Sequence, residues 1–245
     1  MPFENTQKGN PHQFVIQQHF HTAHCIGKFN DTDDKVEVKS LKTGKIEKVG
    51  KRSKIFCAQR SWDEKAERGL MADMESAFHK EINNIKPFDK RNHHAISQYF
   101  LLWRIRHYFC YTPLEDMTLN GVSGSSLTKE QEEILESKWA IFVHDDGKVP
   151  ARFMTGLQIL KQLDQQWSGV ASLKWGLLEA REAEFIVADC YQDLTFMPIS
   201  PKLAFCAGYD DLVIDKSSVA NINKQSIEKS SNFYFARNLS QCPVA

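Results

Sequence analysis

The densest group of residues able to do chemistry lies near the N-terminus, in the heptapeptide His19-Phe20-His21-Thr22-Ala23-His24-Cys25. In an extended segment, His19 and His21 share one face, and imidazole nitrogens are ligands for divalent metals. The pattern indicates a divalent metal as cofactor, held by His19, His21 and His24 with Asp189 as a carboxylate ligand. The alternative is a set of surface or hydrogen-bonded histidines, because no C-x-x-C or H-x-x-x-H element completes a structural zinc site.

Asp189 directly follows the apolar run Phe185-Ile186-Val187-Ala188. A carboxylate at the end of a buried strand lies at the rim of a sheet, where catalytic acids, bases and metal ligands are often placed. The alternative is an aspartate that serves only a turn.

A second polar group lies in the apolar segment 95–111, which contains Gln98, Arg104 and Arg106. Polar groups on a buried helix are costly unless they are paired. We therefore expect one arginine to point inward and to pair with Glu75 or Asp189. Residues two apart on a helix differ in direction by about 200°, so periodicity leaves open which arginine it is. The group is either a set of structural ion pairs or a pocket floor that binds an anion such as phosphate.

Composition and motifs exclude several classes of function. The 31 basic residues balance 31 acidic ones, which argues against a general phosphate-coating protein but not against a local basic groove. The signatures of P-loop hydrolases, dinucleotide oxidoreductases, zincins and α/β-hydrolases are absent from the sequence.

Cysteine usage and hydropathy indicate the compartment. None of the six cysteines forms a C-x-x-C pair, which favours reduced thiols in a cytoplasmic protein. The first residues lack the pattern of a signal peptide. Charged residues interrupt every apolar stretch before the roughly 20 residues of a membrane span, so we expect no membrane association.

The hydrophobic pattern predicts an α+β fold, in which central helices pack with a small antiparallel sheet and with C-terminal strands. Alternation over 35–41 and 45–49 predicts a β-hairpin, and a strand over 54–58 is expected to join its sheet. The other predicted elements are helices over 62–86, 90–111, 128–143, 151–167 and 218–237, and strands over 173–178, 184–188, 202–207 and 211–214. We predict one domain over 1–245, with 112–127 as the place where it would divide.

Several short motifs stand in the order found in a known family. The segment HFHTAHCIGKF, residues 19–29, is similar to the pattern H-Y-V-P-Q-F-Y-L-R-N-F, although Thr22 and Ala23 replace its proline and glutamine. FIVADC resembles a strand that ends in S-D-N-P and keeps Asp189, and residues 198–201 match P-L-S-P. Over residues 12–238 the chain thus resembles the mainly bacterial family called domain of unknown function 4238.

The resemblance implies that a set of polar residues converges, and it favours Arg104 over Arg106 as the inward arginine. The set is His19, Glu75, Gln98, Arg104 or Arg106, and Asp189. A histidine, two carboxylates and an arginine suit phosphodiester cleavage, so our hypothesis is a nuclease or other phosphate-directed effector of a bacterial defence or toxin system, with nucleic acid as partner. The alternative is a non-catalytic protein-interaction module, whose lysine-rich hairpin recruits a protein partner and whose polar residues form a buried structural network.

Overall fold

The computed structural model describes residues 4–245 and has the predicted α+β fold. The helices are α1 Ala23–Gly27, α2 Glu64–Arg68, α3 Leu70–Asn83, α4 His93–Tyr111, α5 Lys129–Ser137, α6 Ala151–Trp167 and α7 Lys216–Lys229. The strands are β1 Gln17–His19, β2 Lys35–Ser40, β3 Ile46–Gly50, β4 Cys57–Gln59, β5 Met117–Thr118, β6 Lys148–Val149, β7 Trp175–Ala180, β8 Val187–Ala188, β9 Phe196–Ser200, β10 Leu203–Ala207, β11 Leu212–Ile214 and β12 Phe233–Ala236.

Helices α3 and α4 pack against each other, as the apolar stripe of the first and the nearly continuous apolarity of the second predict. Met74 and Phe78 of α3 and Phe100 and Leu101 of α4 are buried. Helix α4 also packs on α6, so it is covered on more than one side. This explains why its sequence has no clear polar face.

The helix predicted over 62–86 is divided at Gly69. Its first turn, α2, is capped by Asp63, whose carboxylate accepts a hydrogen bond from the backbone N–H of Ala66. A Cβ at position 69 would lie 2.5 Å from the carbonyl oxygen of Lys65. Glycine therefore permits the close approach at which α2 ends and α3 begins.

The predicted hairpin is formed by β2 and β3, but it belongs to a sheet of order β3-β2-β12-β8. Strand β12 lies where the closing helix was predicted to continue to 237. That prediction is wrong after Lys229, because the chain turns at Ser230 and its apolar residues Phe233–Ala236 pair with both β2 and β8. Residues 54–56 form a 3₁₀ turn, and β4 pairs with β1 instead of joining the hairpin.

The second sheet has the order β11-β7-β10-β9, with β7, β10 and β9 antiparallel and β11 parallel to β7. Strand β9, which contains Pro198, was not predicted from the sequence. Proline cannot donate a ladder hydrogen bond, so it is tolerated here because β9 is an edge strand. The two sheets and helices α3 and α4 contribute side chains to one large hydrophobic core.

Helix α5 begins where the helix over 128–143 was predicted to begin, with a capping box of Thr128 and Gln131, but it ends at Ser137, earlier than expected. Within segment 112–127, β5 pairs with β6; the division of the chain near this segment stays a prediction. No helix within residues 4–245 combines the length and the apolar character that a membrane crossing needs.

Candidate active site

Arg106 is the inward arginine, and it lies between two carboxylates. Its guanidinium donates a hydrogen bond to Glu75 Oε1, and its Nη2 lies 3.4 Å from Glu67 Oε2. The side chain of Arg106 is 1% exposed, whereas those of Glu67 and Glu75 are 16% and 23% exposed. The expected pair with Glu75 is therefore present, and the choice of Arg104 as the inward arginine is wrong.

Residues of α2 and α3, and the segment before them, hold this arginine in place. The guanidinium carbon lies 5.4 Å from the centre of the Trp62 ring, and Nε contacts the sulfur of Met71. The indole N–H of Trp62 donates a hydrogen bond to Glu67 Oε2. The break at Gly69 lets α2 present Glu67 and α3 present Glu75 to the same guanidinium, although the two glutamates belong to different helices.

His19 lies at this cluster, at the end of β1. Its backbone oxygen accepts a hydrogen bond from Arg106 Nη1 at 3.3 Å, and its ring Nε2 lies 3.1 Å from the carbonyl oxygen of Lys51. Burial lowers the pKa of His19 below its ordinary value, and Arg106 acts in the same direction. The Lys51 carbonyl and the carboxylates of Glu67 and Glu75 oppose that change in pKa without cancelling it.

The neutral form of His19 therefore predominates at pH 7. A carbonyl oxygen can only accept, so Nε2 must carry the ring proton and Nδ1 must carry the free lone pair. His19 is thus arranged as a proton acceptor at Nδ1. Two carboxylates lie close enough to stabilise the imidazolium that would form.

The residue that His19 contacts belongs to an exposed basic segment. The segment that follows β3 contains Lys51, Arg52 and Lys54, and all three residues are exposed. The strand pairing of β1 with β4 brings His19 to this segment, because β4 begins at Cys57 directly after the 3₁₀ turn. This exposed segment thus carries three positive charges, although the chain as a whole is neutral.

The other two histidines of the heptapeptide lie apart from this cluster. His21 is buried, stacks on Trp103 at 4.0 Å between ring centroids, and bonds through Nδ1 to the hydroxyl of Tyr99. Burial lowers the pKa of His21 to about 3. His24 is exposed, and its Nε2 lies 3.0 Å from Asn83 Oδ1.

Asp189 is buried and its carboxylate is hydrogen-bonded at both oxygens. It accepts hydrogen bonds from the backbone N–H groups of Ser231 and Asn232, at 2.8 and 2.9 Å, and from the Asn232 side chain at 3.0 Å. His107 Nε2 lies 3.1 Å from Oδ2. This carboxylate links β8, the turn before β12 and helix α4, and its burial at 1% exposure keeps it from contact with a substrate.

The metal site expected from His19, His21, His24 and Asp189 is not formed. Among residues 4–245, no three His, Cys, Asp or Glu side chains are grouped so that they could hold a metal ion. The physical reason is the chain direction after His19: Thr22 caps α1, which directs His21 into the core and leaves His24 at the surface. His24 and Asp189 each bind partners of their own.

The remaining members of the expected set lie on α4. Gln98 is half-buried and makes no side-chain hydrogen bond with any residue in the part of the chain described. Arg104 is also half-buried and lies near the ring of Phe100. The structure thus brings together His19, Glu75 and Arg106, and it adds Glu67, which the sequence analysis missed. The signal available in the sequence was the pair of acidic residues in the first turn of α2, Glu64 and Glu67.

No known protein family, curated protein or solved structure matches this chain. The resemblance to domain of unknown function 4238 therefore stays a prediction, and so do the roles that it implies.

Proposed function

We propose that this protein is a nuclease in which His19 acts as the general base. The observation that supports this function is the cluster of His19, Glu67, Glu75 and Arg106 beside an exposed basic segment. A neutral histidine with a free Nδ1 can take a proton near neutral pH. The exposed cations Lys51, Arg52 and Lys54 can form ion pairs with the phosphates of a nucleic acid.

Arg106 serves as a positioning residue in this proposal. Its charge is already met by Glu67 and Glu75, so it is not free to clamp a phosphate. Instead it fixes the two carboxylates beside His19. The phosphate charge is assigned to Lys51, Arg52 and Lys54, whose side chains are exposed and make no ion pair within residues 4–245.

The chemical step uses groups that the chain supplies. His19 Nδ1 takes the proton of the attacking hydroxyl, either of water or of the substrate, as the new oxygen–phosphorus bond forms. The bond from phosphorus to the leaving oxygen breaks, and that oxygen receives the proton back from the imidazolium. Glu67 and Glu75 stabilise the imidazolium in between. A role in bacterial defence or as a toxin is supported by the family resemblance alone.

The test is cleavage of single-stranded RNA, single-stranded DNA and duplex DNA by purified protein, with EDTA and with Mg²⁺ or Mn²⁺. Loss of a general base costs roughly 100- to 10,000-fold in rate, which we expect for His19→Ala and for His19→Gln, whose amide can still donate to the Lys51 carbonyl. His24→Ala is the matched control and should keep full activity. Absence of cleavage in wild-type protein, or equal rates in His19→Ala, would contradict the proposal.

A second experiment tests the basic segment. Replacing Lys51, Arg52 and Lys54 together by glutamine should weaken nucleic-acid binding and reduce its dependence on salt. The matched control replaces three exposed lysines of the neighbouring hairpin, Lys35, Lys42 and Lys45, by glutamine. Equal losses in both triple variants would mean that binding follows net charge and not this segment.

A non-catalytic protein-interaction module is the second candidate. It is favoured by a groove of about 600 Å³ beside the hairpin. Lys39, Ile46 and Tyr234 line the groove together with residues near the C-terminus. Folded wild-type protein that cleaves none of the substrates above would make this candidate the better one.

A further inference from the structure

A small surface cavity, open to solvent, lies between α4 and the C-terminal end of α6, and it has a volume of about 330 Å³. Leu101, Arg104, Gln165, Gln166, Ser168, Gly169 and Val170 line it. It contains one cationic side chain and no carboxylate. Its volume lies at the lower end of the range found for small-molecule sites, about 300–1,000 Å³.

Arg104 differs from the inward arginines of this protein because it has no carboxylate partner among residues 4–245. Each of the four buried arginines is paired with a carboxylate: Arg60 and Arg152 with Glu136, Arg91 with Asp211, and Arg106 with Glu75. Within residues 4–245, the guanidinium of Arg104 makes no ion pair and no hydrogen bond, and its Nε is buried without an acceptor. The fold therefore does not use this charge.

The position of the guanidinium is nevertheless defined. Its central carbon lies 5.6 Å from the centre of the Phe100 ring, a contact that holds a planar cation through its face. Gln165 and Ser168 place further donors on the wall of the cavity, and Leu101 and Val170 supply apolar surface.

We propose that this cavity binds a small molecule through a phosphate or carboxylate group, with Arg104 as the anion-binding residue. A guanidinium edge matches the geometry of both oxyanions, which can accept two parallel hydrogen bonds from it. The site is independent of the proposed nuclease centre, because Arg104 and Arg106 project from α4 in directions that differ by about 200°.

The test uses the arginine Nε–H signals of ¹⁵N-labelled wild-type protein in two-dimensional NMR. Inorganic phosphate and acetate are titrated separately, with chloride adjusted to keep ionic strength constant. We expect the Arg104 signal to shift and to saturate with at least one of the two anions, and the signal of the exposed Arg181 to stay unchanged. The anion that saturates the signal identifies the group that the site prefers.

Arg104→Gln should abolish any rise in the melting temperature that the preferred anion causes, and Arg104→Met, which also removes the charge, is the substitute if the glutamine variant does not fold. No saturable shift at Arg104, or equal shifts at Arg104 and Arg181, would overturn the proposal. None of these measurements involves cleavage, so failure of this site and failure of the nuclease proposal are distinguishable.

Discussion

Arg106 and Glu75 form an ion pair whose guanidinium is buried and whose carboxylate reaches the surface, with side chains 1% and 23% exposed. Glu67 contacts the same guanidinium from another helix. One buried cation thus sets the distance between two surface carboxylates and, through its bond to the His19 carbonyl, the place of the histidine beside them.

Arg106→Ala should lower the free energy of unfolding by roughly 3–5 kcal/mol, since it breaks a buried ion pair, and should abolish cleavage. Arg104→Ala, two residues away on the other side of the helix, should cost less than about 1 kcal/mol because it breaks no ion pair. Urea denaturation of both variants measures the difference. Similar losses of stability would show that the two arginines contribute alike.

Cleavage by wild-type protein should be lost in acid and should stay constant through neutral pH. A base must be deprotonated, and burial lowers the pKa of His19. The acidic limb of kcat/KM should therefore fall below the ordinary histidine value of about 6.5. A pH profile from 4 to 9 checks this. A midpoint above 6.5 would contradict the assignment of His19 as a desolvated base.

His21 should make the fold sensitive to acid. Its pKa is about 3 in the folded protein and about 6.5 when unfolded, so the unfolded state binds more protons between these values. The stability of the fold with neutral His21 is therefore fully present above pH 6.5. It decreases as the pH falls from 6.5 toward 3, because protonation of His21 favours the unfolded state. In His21→Phe, the difference in unfolding free energy between pH 7 and pH 4 should be smaller than in wild type. An unchanged difference would assign the acid sensitivity to other groups.

Asp189→Asn should destabilise the protein without reducing the proposed cleavage of nucleic acid. The substitution turns an amide N–H₂ toward donors that now bond to carboxylate oxygens, and we expect a loss on the order of 1.5–3 kcal/mol. Asp193→Asn is the control, because that side chain is 73% exposed and its replacement should be nearly neutral. At a temperature where both variants are folded, their cleavage rates should equal that of wild type. Loss of rate in folded Asp189→Asn alone would return Asp189 to the active site.

Local patterns predicted much of the fold. The hairpin β2–β3, helices α4 and α6 and the start of α5 follow from alternation, helical periodicity and capping residues, which act between near neighbours in the chain. Strand β12 could not be found in this way, since Phe233–Ala236 follows a helix and is extended because it pairs with β2 and β8. Edge strand β9, which contains Pro198, could not be predicted either, because its pairing joins residues that the local pattern does not connect. The break between α2 and α3 at Gly69 was also not predicted.

For the candidate site, the sequence by itself determined that a buried helix carries two arginines in different directions, and that one of them needs a carboxylate partner. The tertiary structure alone decided that this arginine is Arg106, that Glu67 joins Glu75 beside it, and that Asp189 is used by backbone donors elsewhere. The physical reason is that periodicity gives the angle between two side chains on a helix. Only the packing of α2, α3 and β1 around α4 decides which of the two side chains faces the carboxylates.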